Sequence, residues 1–240
     1  FVLRLPYYTS RGGVRSATNA VHIDGVDPPA GRILFPIVQI EQDTVIALLG
    51  DWGDDDADIR SSDQLLQGAD VHELARANLR LMVESKRTAA DVAAAVSGAR
   101  FAPDVVRIDT GPIGGPSGGL AFALAILDML SGGRLSAGRT ICATGALARD
   151  GAVSVVGGIT LKTGAAERAG CVFLLVPSAN YDEASAASDE MPVVPIASLA
   201  DAIAAVTSTS GTVDDATELR CHAQGLGSVI YPSRECARAT

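Results

Sequence analysis

Lysine is nearly missing from this chain: its 240 residues hold Lys86 and Lys162 alone, against seventeen arginines. Histidine is almost as scarce, with only His22, His72 and His222. Aromatic residues make up 4%, so a core must be assembled from Ala, Val, Leu and Ile, which belong to the 48% that is hydrophobic. No cluster of Lys and Arg interrupts a net charge of −9, which argues against nucleic acid and anionic membrane surfaces as partners. No apolar run approaches the length of a membrane span. Neither lysine follows a glycine, so a GxxxxGK[ST] phosphate loop is excluded, and with it nucleotide hydrolysis by that route. Cys142, Cys171, Cys221 and Cys236 lack CxxC and zinc-ligand spacing. Cys142 and Cys171 fall in apolar strand-like runs and read as core residues. Cys221 and Cys236 flank the last stretch and could pair in an exported protein. The acidic run Asp51 to Asp58 lacks the alternating ligands of a calcium loop and reads as a solvated loop. The reading calls for no metal and no cofactor.

What the chain does have is the stretch Gly111-Pro112-Ile113-Gly114-Gly115-Pro116-Ser117-Gly118-Gly119. It follows a β-like run, Val105 to Ile108, and precedes an apolar helix-like run, Leu120 to Leu130. Glycine lets backbone N–H groups approach a ligand closely, and a helix start adds a positive dipole end. Such a place suits a nucleophile and an oxyanion site.

Around it, Arg32 to Ile40 reads as a strand with Pro36 marking an edge or bulge, and a further strand is expected near Ala20 to Ile23. Thr44 to Leu49 reads as a short helix. Val71 to Ser97 carries the longest helical pattern and Gly98 ends it. On that helix Lys86 reads as an exposed charge, and His72 sits in the first turn. Strands are expected at 104–109, 139–147, 153–156, 171–176 and 192–196. The Arg149-Asp150-Gly151 turn marks a hairpin between the second and third of these. Helices are expected at 160–169, 182–188 and 199–206, the last capped by Ser198. The order implies an α/β (α+β) fold with a right-handed crossover from strand 104–109 through the helix after Ser117. The organisation is a smaller N-terminal portion (1–66), a main portion (67–206) and an aperiodic tail (207–240).

Gly115-Pro116-Ser117-Gly118-Gly119 fits GxSxG formally. A hydrolase elbow, however, needs an acid and then a histidine downstream, and only His222, in the tail, qualifies. The other route is a serine activated by lysine. Lys162 follows Gly157-Gly158 within the first turn of an apolar helix, where burial would lower its pKa and free a neutral amine for Ser117. Thr144 is placed to hold that amine by a hydrogen bond.

Four separated motifs then resemble the Lon-type serine protease domain in order and spacing. They are Gly115 to Gly119, then Ala143-Thr144-Gly145, then Val156-Gly157-Gly158-Ile159 with Lys162 and Ala165-Ala166, then Val176-Pro177 with Asn180. The chain is most similar to bacterial membrane-anchored Lon-like proteases that carry a PDZ domain. Val2 to Tyr8 resembles the end of such an anchor. The resemblance implies Ser117 as nucleophile, Lys162 as general base, Thr144 as supporting hydroxyl, and backbone N–H groups of Ser117 and Gly118 for the oxyanion. It implies an ATP-independent endopeptidase on the extracytoplasmic face, taking peptide or unfolded protein as an added strand, and a homo-oligomer. Departures are Gly114, where full-length Lon has an acid, Ala146 in place of Glu, and no room for a PDZ domain before Phe101. A catalytically weak binding or assembly module on the same fold is the alternative.

Overall fold

A computed structural model describes residues 4–44, 57–66, 70–99 and 105–208. In chain order the elements begin with strand β1 (Arg4–Ser16), a single helical turn α1 (Ala17–Ala20), β2 (Val21–Ile23) and β3 (Arg32–Thr44). Next come β4 (Ala57–Ser61), α2 (Ser62–Leu66), the long α3 (Val71–Ser97), β5 (Val106–Ile108) and α4 (Gly119–Leu130). Then follow β6 (Thr140–Ala143), β7 (Ala146–Leu147), β8 (Val153–Ser154) and α5 (Ile159–Arg168). The last are β9 (Leu174–Pro177), α6 (Tyr181–Ala186), β10 (Val193–Ile196) and α7 (Leu199–Ser208).

The fold is α/β. A six-stranded mixed sheet runs in the order β10-β9-β6-β3-β1-β4. The strands β3, β6, β9 and β10 are parallel, while β1 is antiparallel to both β3 and β4. Alternate side chains of each central strand enter different cores, as the pleat requires. Ile33, Phe35, Ile37, Ile141 and Leu175 face α3 and α4, whereas Leu34, Cys142, Leu174 and Val176 face α5 with Ile159 and Ala166. All twelve residues of α4 are buried, and Asp128, which accepts from the Ser136 N–H, is the one charged side chain among them. Phe122 on α4 meets Phe35 edge-on, with centroids 5.0 Å apart, and fixes the helix over β3.

Several expectations are revised. From Arg4 onward, the stretch read as the end of an anchor is strand β1, pairing Tyr8 with Gln42 and Arg60. Its glycines and polar residues hide the strand from pattern reading. β5 pairs with β2 in a separate two-stranded ribbon, so the expected crossover from 104–109 into the main sheet does not occur; β3 supplies β6's parallel neighbour instead. The run 139–147 is split into β6 and β7 at Thr144 and Gly145: the Thr144 N–H still donates to the Leu175 carbonyl of β9, while its hydroxyl and the Gly145 N–H turn to the serine loop. Cys142 and Cys171 are buried as expected but are joined as a disulfide, with Cα atoms 5.6 Å apart. Spacing in sequence could not reveal that pairing, because β6 and the approach to β9 meet only in the sheet. Lys86 is half-buried and its pKa is lowered by desolvation, opposed by Asp109. It is not a fully exposed charge.

Other readings match. α3 starts at Asp70, whose carboxylate accepts from the N–H groups of His72 and Glu73, and it ends at Gly98 with φ 69°. Pro36 lies beyond Leu34, the last residue of β3 paired to β6, so its missing N–H leaves no gap in a ladder. Thr44 closes β3, whereas 45–49 of the expected short helix, Asp51 to Asp56 of the acidic loop, and the tail from 209 lie outside the described residues.

Candidate active site

Ser117 sits where the loop after β5 turns into α4, and four neighbours fix that loop. The Gly115 N–H donates to the Asn78 carbonyl at 2.8 Å, and the Ser85 hydroxyl donates to the Pro116 carbonyl at 3.0 Å, both from α3. From the other side the Gly145 N–H and the Thr144 hydroxyl donate to the Ser117 carbonyl at 2.9 and 3.4 Å. Glycine at 114 has a steric reason, since a Cβ there would lie 2.8 Å from the Cβ of Asn78. The helix cap is Gly118, without any side-chain cap bond. Among the described residues the Ser117 hydroxyl makes no hydrogen bond, so it is not spent on capping.

Lys162 lies in the first turns of α5, 4% exposed. Its burial lowers the pKa to about 8, and among the described residues no acid offsets the desolvation. The helix N-terminus adds positive potential and works in the same direction. Two contacts seat this helix. Gly12 of β1 lies against the Leu161 carbonyl so closely that a Cβ would overlap it. Asn180 brackets the approach loop: its Oδ1 accepts from the Val156 N–H at 2.9 Å and its Nδ2 donates to the Val156 carbonyl at 3.1 Å. Gly158 turns the chain into α5 with φ 64°, and a Cβ there would lie 2.7 Å from Val38 Cγ2.

Ser117, Gly118, Gly157, Gly158 and Lys162 line one cavity of about 680 Å³. Phe35 and Ile37 to Glu41 of β3 line it too, with Met82 of α3 and Ile113 of the serine loop. Beyond Leu34 this strand has β1 on one side and, among the described residues, no paired strand on the other, so the cavity runs along an open sheet edge. No histidine lines it among the described residues.

The structure thus brings Ser117 and Lys162 to one cavity without a hydrogen bond between them. It places Thr144 differently from expectation. That side chain is fully buried and its hydroxyl is directed at the Ser117 carbonyl, not at the lysine amine. Sequence reasoning missed Asn78, Ser85 and Gly12. The one signal available was Ser85 on the buried stripe of α3, between Met82 and Ala89.

Residues 103–207, a little under half of the chain, match the family model of the Lon protease (S16) C-terminal proteolytic domain. A search of curated proteins found no match. The family match supports a Lon-type protease domain within this α/β fold and, in general terms, a serine protease.

Proposed function

We propose that the chain is an ATP-independent serine endopeptidase working through Ser117 and Lys162. The observation that carries this reading is a buried lysine with a depressed pKa and an unbonded serine hydroxyl on the walls of one cavity. A lysine without a counter-charge holds a neutral amine near pH 8, which is what a general base requires. In the reaction Lys162 Nζ takes the Ser117 proton as Oγ attacks the peptide carbonyl carbon. The oxyanion is held by the Ser117 and Gly118 N–H groups. The resulting ammonium returns its proton to the leaving amine, the C–N bond breaks, and an acyl-enzyme remains. Water, deprotonated by the same amine, then releases the acid and restores the hydroxyl. Lys162 must close on Ser117 for the first step, and catalytic hydrogen bonds commonly tighten only when substrate is bound.

The open edge of β3 suits an extended peptide added as a further strand, recognised through its backbone. Thr144 supports the nucleophile from behind through the Ser117 carbonyl. ATP independence enters this reading by the resemblance to membrane-anchored Lon-like proteases. An extracytoplasmic, membrane-anchored setting and a homo-oligomer complete the reading by resemblance, and the Cys142–Cys171 disulfide favours an oxidising compartment.

A second reading, a catalytically weak module on the same fold, is favoured by the missing hydrogen bond between serine and lysine. Cleavage of unfolded protein by wild type and by Ser117→Ala separates the two. Turnover confined to the wild type is expected. Equal turnover by both would remove Ser117 from the chemistry, and no turnover by either would favour the second reading.

A further inference from the structure

The peptide group joining Pro116 to Ser117 is planar and trans, so its carbonyl and its N–H point in opposite directions. The carbonyl end is held twice, by the Ser85 hydroxyl at 3.0 Å and by the Gly119 N–H at 3.2 Å. The N–H end, together with the Gly118 N–H, finds no acceptor among the described residues, and both residues line the cavity.

Ser85 is unusual for a serine in mid-helix. Such hydroxyls commonly bond back to a carbonyl of their own helix. This one instead crosses to the serine loop from a site 5% exposed on the apolar stripe of α3. Close approach is possible because residue 119 is glycine: a Cβ there would lie 2.9 Å from Ser85 Oγ and 3.2 Å from the Leu147 nitrogen. α3 also lies outside the stretch that matches the protease family.

Building on the peptidase reading above, we propose that Ser85 is a positioning residue for the oxyanion donor, anchoring the Pro116 carbonyl so that the Ser117 N–H faces the cavity. Without the hydroxyl, the carbonyl keeps only the Gly119 N–H, and the peptide plane can swing. Donor strength at the reacting oxygen falls, while the general base and the peptide-binding edge are untouched.

The test compares wild type, Ser85→Ala and Ser85→Thr. Ser85→Ala is expected to lower kcat by about tenfold, less than the loss on deleting an oxyanion donor outright, with KM unchanged. Affinity for a peptide boronate, whose tetrahedral adduct on Ser117 mimics the oxyanion, should fall by the same factor. Binding of uncleaved peptide in a Ser117→Ala background, and the pH midpoint of activity, should stay where they are. Ser85→Thr, which keeps the hydroxyl, should recover most of the loss. Should Ser85→Ala fail to fold, Ser85→Cys, similar in size but a weak donor, carries the same comparison. Full kcat and boronate affinity without the hydroxyl would overturn the inference, as would an equal loss in uncleaved-peptide binding. Equal turnover by Ser117→Ala would instead remove the peptidase reading on which it rests.

Discussion

Gly12 of β1 lies directly against the backbone carbonyl of Leu161, the residue before Lys162, with no space for a side chain between strand and helix. The strand therefore sets how deep α5 sits on the sheet and how far the lysine is withdrawn from water. A methyl group at this point must push the helix away. Gly12→Ala is expected to cost about 1–3 kcal/mol by overpacking and to lower activity. Gly13→Ala serves as the control, because the atom it meets is the far end of the Gln39 side chain at 3.3 Å. Urea unfolding of the two variants checks this.

Activity should depend on pH through Lys162. Burial lowers its pKa to about 8, and the neutral form is the base. The rate constant kcat/KM should therefore climb as pH rises through about 8 and level off above it. A flat profile from pH 6 to pH 10 would remove Lys162 from the role of base.

The same burial has a stability consequence of known sign. The amine releases its proton near pH 8 in the fold and near 10.5 in the unfolded chain. Between those values the unfolded state binds more protons, so stability rises with pH across that window. Below it the fold carries the full penalty of a buried ammonium. Lys162→Met should accordingly stabilise the protein at neutral pH, by up to about 3 kcal/mol, while abolishing cleavage. Its advantage over wild type should shrink between pH 8 and pH 10.5, as read from urea midpoints.

Asn180 is buried and satisfies both backbone groups of Val156. Asn180→Ala would strand that N–H and carbonyl, at a cost of about 1–3 kcal/mol. The loss should appear in kcat as well as in thermal midpoint, because Gly157 and Gly158 next along the chain line the cavity.

The disulfide ties β6, two residues before Thr144, to the segment entering β9. A bridge closing a loop of this size contributes about 2–4 kcal/mol. Thermal unfolding with and without reductant should show the midpoint falling on reduction, and Cys142→Ala with Cys171→Ala should reproduce the reduced value.

Where chemistry depended on residue type, the sequence was a good guide. A serine among glycines, a lone lysine among apolar residues at a helix start, and the long helix from 71 to 97 could all be read directly. Strand β1 could not, because Ser10, Arg11, Gly12 and Gly13 break the apolar alternation that marks a strand. That polar composition reflects tight packing against Leu161 and a wall shared with the cavity. The continuous reading of 139–147 failed for a related reason: after the Thr144 N–H makes its last bond to β9, the Gly145 N–H and the Thr144 hydroxyl turn to the Ser117 carbonyl.

The sequence by itself determined the reactive groups and the turns that present them, since glycine freedom, helix caps and the acidity of side chains act over a few neighbouring residues. The tertiary structure alone decided which strands pair, that Cys142 meets Cys171, that Thr144 serves the serine's carbonyl, and that Ser85 and Gly12 fix the two halves of the site. Those outcomes depend on packing between segments remote along the chain, where contact is set by how one sheet is filled on both faces.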